Sequence, residues 1–158
     1  MKKLIIALIV LTASVANADQ ALTQSERIVA LTILGEARGE GECGMFAVAC
    51  VIKNRATERK ISFAKVCLQP WQFSIWNAGK GKVKKESELY YLWKSKSAPY
   101  ARKLAKRLCR PSSPHSLYWP DITKGANHYC TLKTKPYWVK KGEKPVKVIG
   151  NHKFYKLN

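Results

Sequence analysis

The chain lacks most short signatures of well-known catalytic and binding sites. No Cys-x-x-Cys pair occurs among its five cysteines, which argues against a zinc ribbon or a thioredoxin-type site. His115, His128 and His152 are spread over nearly forty residues and form no His-Glu-x-x-His or similar pattern, so a zinc amidase or peptidase finds little support. The expectation is therefore no metal and no cofactor. The absence of a Gly-x-Ser-x-Gly elbow and of a phosphate loop removes the commonest hydrolase and nucleotide readings. There is no internal repeat and no low-complexity linker. Acidic residues are also scarce: ten Asp and Glu stand against 29 Lys and Arg.

What is present begins with an export signal. Lys2 and Lys3 form a charged start, Leu4 to Ala13 an apolar stretch, and Ala16-Asn17-Ala18 a small-x-small cleavage site. That stretch is too short to span a bilayer comfortably, so cleavage after Ala18 is favoured over a permanent membrane anchor. Residues 19–158 then form one domain, long enough for a real core. The expected location is the periplasm or the extracellular wall. The formal net charge of +19 is too lopsided for simple solvation and points to polyanionic partners. For an exported protein these are cell-wall polymers, lipid head groups or extracellular nucleic acid. Export also permits disulfides, although an odd number of cysteines leaves at least one thiol free in a monomer, the expected state. Cys50 lies within an apolar helical run, where packing is the better reading.

Thr23-Gln24-Ser25-Glu26 is a capping-box pattern and opens a helix. Ile28, Leu31, Thr32 and Gly35 fall on one face, and Glu36 stays close to it. An acid on the buried side of a helix is uncommon unless paired or working. Partial desolvation in general raises a carboxyl pKa and suits it to donate a proton near neutrality. Glu36 is thus the leading catalytic candidate; its rival role is a structural acid paired with Arg38, Arg55 or another cation. Gly39 and Gly41 then break the helix, and Glu40 and Glu42 read as exposed. A second, largely buried helix is expected from about Gly44 to Arg55, since Met45 to Ile52 holds no charge.

From Ile61 to Lys85 the pattern is irregular and aromatic, and Gly79 to Lys85 reads as an exposed basic loop. Glu86 to about Ser95 reads as helix. Ala101, Leu104, Ala105 and Leu108 form another apolar stripe, with Arg102, Lys103, Lys106 and Arg107 opposite. Short Val, Ile and aromatic runs between about Gly125 and Asn158 predict a few strands. The fold class is therefore α+β and mainly helical. Asp121, in Trp119-Pro120-Asp121, reads as a turn residue, with a second catalytic acid as the alternative. Gln69 to Trp76 gathers aromatic faces, amides and a hydroxyl, which suit stacking on sugar rings. Trp71, Gln72, Ser74 and Trp76 are the candidates there, core packing is the rival for either tryptophan, and Phe73 is expected in the core. A nucleic-acid-binding protein would explain the lysines interleaved with Trp and Tyr, but the export signal opposes it and no recognition motif appears. A non-catalytic wall-binding module would have no use for Glu36.

Five segments in order resemble the SleB-type cell-wall hydrolases, the family of the spore-cortex-lytic enzymes. They are Gly35-Glu36-Ala37-Arg38-Gly39-Glu40; Ala47-Val48-Ala49 through Val51-Ile52 to Asn54-Arg55; Gln72-Phe73-Ser74 with Trp76; Gly125-Ala126 with His128-Tyr129; and Ile149-Gly150-Asn151-His152 with Phe154-Tyr155. The resemblance implies a lysozyme-like domain that cuts peptidoglycan glycan strands with one essential glutamate, which maps onto Glu36. It further implies a lytic transglycosylase, in which one acid protonates the leaving oxygen and then accepts the proton of the muramic acid C6 hydroxyl. A muramidase that uses water is the alternative within the class. Trp71, Gln72, Ser74, Trp76, His128 and Tyr129 are the expected glycan-binding residues. No counterpart of the separate wall-binding domain of many spore members is expected, and the basic surface is expected to take its role by attracting anionic wall polymers. The chain also departs from the spore pattern at Asn127-His128-Tyr129-Cys130, where those members carry more tyrosine.

Overall fold

The computed structural model describes residues 21–110 and 118–157; the expected export segment and His115 lie outside the described residues. Helix α1 (Gln24–Ala37) starts at the capping box, where Thr23 Oγ1 accepts the Glu26 N–H at 3.3 Å and Glu26 Oε2 accepts the Thr23 N–H at 2.7 Å. Burial extends beyond the expected face, for Val29, Ala30, Ile33 and Leu34 are also inaccessible to solvent. The reason is position: α1 is the central element, packed against every other helix and against two 3-10 segments.

Helix α2 (Gly41–Arg59) is longer at both ends than the sequence suggests. The glycines interrupt the chain only briefly, because Gly41 adopts a φ of +67° and starts the next helix itself. Past Arg55 the helix continues through a last turn that ends at Lys60 in the left-handed region. Its uncharged run serves two cores. Met45, Val48, Ala49 and Ile52 join the main helical core, whereas Ala47 and Val51 meet Ala126 and Phe154 in a smaller cluster.

A short helix, α3 (Phe63–Leu68), occupies part of the stretch that reads as irregular. Ser62 caps it by accepting the Lys65 N–H at 3.2 Å, and six residues are too few to display helical periodicity. The 3-10 segments are Ser74–Trp76 and Glu86–Lys94, the second lying where a helix is expected. Helix α4 (Ala98–Cys109) buries the whole predicted stripe of Ala101, Leu104, Ala105 and Leu108.

The C-terminal part is a three-stranded antiparallel sheet of β1 (His128–Thr131), β2 (Lys147–Ile149) and β3 (His152–Tyr155), with β3 in the middle. The turn between β2 and β3 is fastened to the helices by Glu40, which accepts the Asn151 N–H at 2.8 Å and its side-chain amide at 3.2 Å. Glu40 is therefore a half-buried docking residue, whereas Glu42 is exposed as expected. Gly150 makes that approach possible: it has a φ of +54°, and a Cβ there would sit 2.5 Å from Glu40 Oε2.

All five cysteines are free thiols. Cys50 is buried, accepts the Trp119 indole N–H at 3.2 Å, and has its thiol pushed up to about 11 by burial, which fits the packing role expected of it. Among the described residues no helix is long and apolar enough to cross a membrane.

Candidate active site

The last turn of α1 carries Gly35 and Glu36. An ideal Cβ on Gly35 would lie 2.3 Å from Ile75 Cγ1, so only glycine lets the Ser74–Trp76 segment rest directly on the helix end. That contact delivers two donors to Glu36 Oε1: the Ser74 hydroxyl and the Ile75 N–H, each at 3.0 Å. From the opposite side, Tyr129 of β1 donates its hydroxyl to Oε2 at 2.8 Å. Burial and the neighbouring Glu36 charge push the Tyr129 phenol well above its ordinary value, so it stays a donor across the neutral range. Two parts of the molecule thus converge on one half-buried carboxylate carried by a third.

The cations expected as structural partners are engaged elsewhere. Arg38 folds back on its own helix, reaching Leu34 O at 3.4 Å and Gly35 O at 3.3 Å. Arg55 is buried over the Phe73 ring and donates to Asn127 O at 2.6 Å and Gln72 O at 3.2 Å. It thereby joins α2 to both the Gln72 loop and the segment entering β1. No ion pair to Glu36 is found among the described residues.

Tyr129, which contacts this carboxylate, also lines a cleft of about 430 Å³. Of the expected glycan-binding residues, Trp71, Gln72, His128 and Tyr129 line it, and Ser74 instead contacts Glu36. Trp76 requires correction. It is only 2% exposed and its indole N–H donates to Thr32 Oγ1 at 2.8 Å, so it packs in the core and has no free face for a sugar. Phe73 is buried as expected. The structure adds Arg55, Tyr137 and Trp138 to the lining. Tyr137 is almost fully exposed, and the Pro136-Tyr137-Trp138 pair amid lysines was the available signal for it. Trp138 packs against His128, with ring centroids 5.2 Å apart, and its edge meets Tyr155.

Asp121 organises a turn. Its Oδ1 accepts from the Thr123 N–H and hydroxyl, and its Oδ2 from the Gly125 N–H and the Asn54 amide. Burial opposes its charge, but these bonds outweigh it and hold the carboxyl below its ordinary value. Asn54 also reaches Ala126 O at 2.9 Å, so the Asn54-Arg55 and Gly125-Ala126 segments form one joint. No three His, Cys, Asp or Glu side chains among the described residues come together to hold a metal ion.

Solved structures share this architecture. The chain is similar to the catalytic domain of the germination-specific lytic transglycosylase SleB from Bacillus anthracis, with a TM-score of 0.57 and 23% identity over 87% of this chain and 98% of that one. It is equally similar to the catalytic domain of the Bacillus cereus SleB protein, at the same TM-score and identity, over 94% of that chain. The fold is thus the lysozyme-like, mainly helical α+β fold that the sequence implies. Residues 39–155 match the family model described as Cell Wall Hydrolase, and the chain belongs to that family of wall-acting enzymes. Glu36 lies three residues before the matched segment. No curated protein matches the chain.

Proposed function

We propose that this enzyme cuts the glycan strands of peptidoglycan between N-acetylmuramic acid and N-acetylglucosamine, as a lytic transglycosylase with Glu36 as acid and base. The observation that carries this reading is the setting of Glu36: a half-buried carboxylate oriented by three neutral donors, one of which, Tyr129, also lines an aromatic cleft. A carboxylate has about four acceptor positions. Two are used on Oε1 and one on Oε2, which leaves a position on Oε2 for the proton that the acid form would hand to the leaving oxygen.

In the proposed reaction Glu36 protonates the oxygen leaving C1 of the muramic acid, and the C1–O bond breaks. The ionised carboxylate then takes the proton of the same sugar's C6 hydroxyl as that oxygen bonds to C1. The product is a 1,6-anhydro end, Glu36 regains its proton, and neither water nor a second carboxylate takes part. The acids around the site support this economy. Glu40 secures Asn151, Glu58 secures Asn127, and Asp121 secures its own turn.

The same proposal has residues 1–18 removed on export and residues 19–158 acting as a monomeric catalytic domain in the periplasm or the extracellular cell wall. On α4, Arg102, Lys103 and Lys106 line a surface groove with Pro99, which suits attraction to anionic wall polymers. Adsorption to whole walls that vanishes at high salt would support that role.

The deciding experiment is digestion of purified peptidoglycan by the mature protein and by Glu36→Gln, with fragments identified by mass spectrometry. Anhydromuramic ends that disappear in the variant are expected. Reducing ends lost in the same way would make the enzyme a muramidase through Glu36. Free stem peptides, or full activity in the variant, would overturn glycan cleavage by this residue.

A further inference from the structure

We infer that His128 recognises the glycan as a hydrogen-bond acceptor through Nε2, its ring fixed as the Nδ1–H tautomer by Asn127; this rests on the peptidoglycan reading above. Asn127 is buried, and its amide has no freedom of orientation. Its Oδ1 accepts the Leu157 N–H at 2.9 Å, while its Nδ2 donates to Leu157 O at 2.7 Å and to the Glu58 carboxylate at 3.1 and 3.3 Å. A backbone N–H can only donate and a carbonyl or carboxylate can only accept, so the oxygen of Asn127 is identified by its partners. His128 Nδ1 lies 2.9 Å from that oxygen and must carry a hydrogen. A neutral imidazole has one N–H, so Nε2 keeps its lone pair.

Among the other groups of the lining, the Tyr129 hydroxyl is given to Glu36, Arg55 donates to Asn127 O and Gln72 O, and the side-chain oxygen of Gln72 is held by Arg59 at 3.0 Å. N-acetyl groups and hydroxyls on a sugar present N–H and O–H donors that require an acceptor. His128 Nε2 supplies one, on a ring braced against Trp138. The charged groups facing the imidazole are Arg55, Arg59 and Glu58 of α2 and Glu143 of the loop before β2. Burial and the two arginines outweigh the two glutamates and hold the ring below its ordinary range, so it is neutral at pH 7. Protonation in acid would turn Nε2 into a donor and abolish the contact.

Two substitutions separate this role from a structural one. His128→Asn keeps a donor near the Nδ1 position for Asn127 and has no atom at Nε2; His128→Gln places an oxygen near Nε2. Soluble, uncrosslinked glycan strands are the probe, with binding measured in the Glu36→Gln background so that chemistry does not intervene. His128→Asn is expected to weaken binding about tenfold at pH 7, the loss of one hydrogen bond, with Tm unchanged. His128→Gln is expected to restore most of the affinity and to remove its decline between about pH 7 and pH 5. With Glu36 intact, His128→Asn should raise KM about tenfold and leave kcat within about twofold. Nitrogen-15 NMR of the unliganded protein should find the proton on Nδ1. A proton on Nε2, unchanged binding by His128→Asn, or no binding of the strands at all would overturn the inference. If the binding pattern holds but the active protein releases no glycan fragments, the reaction reading fails and the His128 assignment stands. Cleavage that is indifferent to His128 has the opposite meaning.

Discussion

The two ends of α1 each carry a glutamate, ten residues apart, and the structure treats them in opposite ways. Glu26 is fully buried and gripped by the Arg110 guanidinium through both Nε and Nη2, in addition to its capping-box bond. Glu36 is half-buried and, among the described residues, held by a hydroxyl, a backbone N–H and a phenol. Both carboxylates are oriented, but among the described residues only the first is tied to a counter-charge. Glu26 has the environment of a structural fastener and Glu36 that of a group positioned for work. The difference lies in the partners, since one helix provides the backbone for both.

The strongest way to break this comparison is to neutralise each acid in turn. Glu36→Gln keeps the shape of the side chain, and glycan cleavage is expected to fall about 1000-fold, within the range for loss of a general acid. Its thermal unfolding midpoint should stay close to that of the parent when followed by circular dichroism. Glu26→Gln should do the reverse. It removes the negative charge and turns one accepting oxygen into an amide NH2 that faces donors, and a loss of about 2 kcal/mol is expected from a pair with one partly exposed member. For a domain of this size that is a fall of roughly 6 °C in Tm, with activity per folded molecule retained.

A pH series sharpens the second result. The Arg110 bond holds the Glu26 carboxyl below its ordinary value of 4.5 in the folded state. A depressed folded value stabilises the protein above the unfolded value, and that contribution is lost as pH falls through the folded one. The stability gap between parent and Glu26→Gln should therefore be full at neutral pH and shrink below about pH 4.5.

Gly35→Ala tests how the Glu36 end is assembled. Its methyl group must displace Ile75, and overpacking of this kind costs about 1–3 kcal/mol. Activity should fall further than stability alone accounts for, because Ile75 N–H and Ser74 would leave Glu36. The smallest effect is expected from Tyr129→Phe, which removes one donor from Oε2 and keeps the ring between His152 and Phe154. A drop of about tenfold in kcat with little change in KM would mark Tyr129 as a positioning residue. An unchanged kcat would mean that two donors suffice to orient the carboxylate.

Much of this organisation was legible beforehand. The capping box at Thr23, the stripe on α4 and the uncharged run of α2 depend on neighbours within a turn or two, and each is found in place. The short helix α3 was not legible, because its signal is one capping serine. The 3-10 form of Glu86–Lys94 departs from the helical expectation, and the sequence pattern does not separate these two closely related turns. In the site, Trp71 and Trp76 sit five residues apart in similar company, yet one is two-thirds exposed and the other 2%. Local chemistry does not distinguish them; what decides is that Trp76 finds Thr32 on the central helix. Arg55 reads as a helix-terminal cation and proves to be the buried joint between two walls of the cleft.

By itself the sequence determined that an apolar helix ends in Gly35-Glu36, that the domain is mainly helical with a small late sheet, and that its charge is strongly positive. Those properties follow from composition, short-range spacing and capping, all written in neighbouring residues. Only the tertiary structure decided what Glu36 meets. Its donors come from residues 38, 39 and 93 positions away, and its expected cations are drawn off by Leu34, Gln72 and Asn127. A hydrogen bond requires placement to within a fraction of an ångström, and over such separations only the packing of helices against the sheet supplies it.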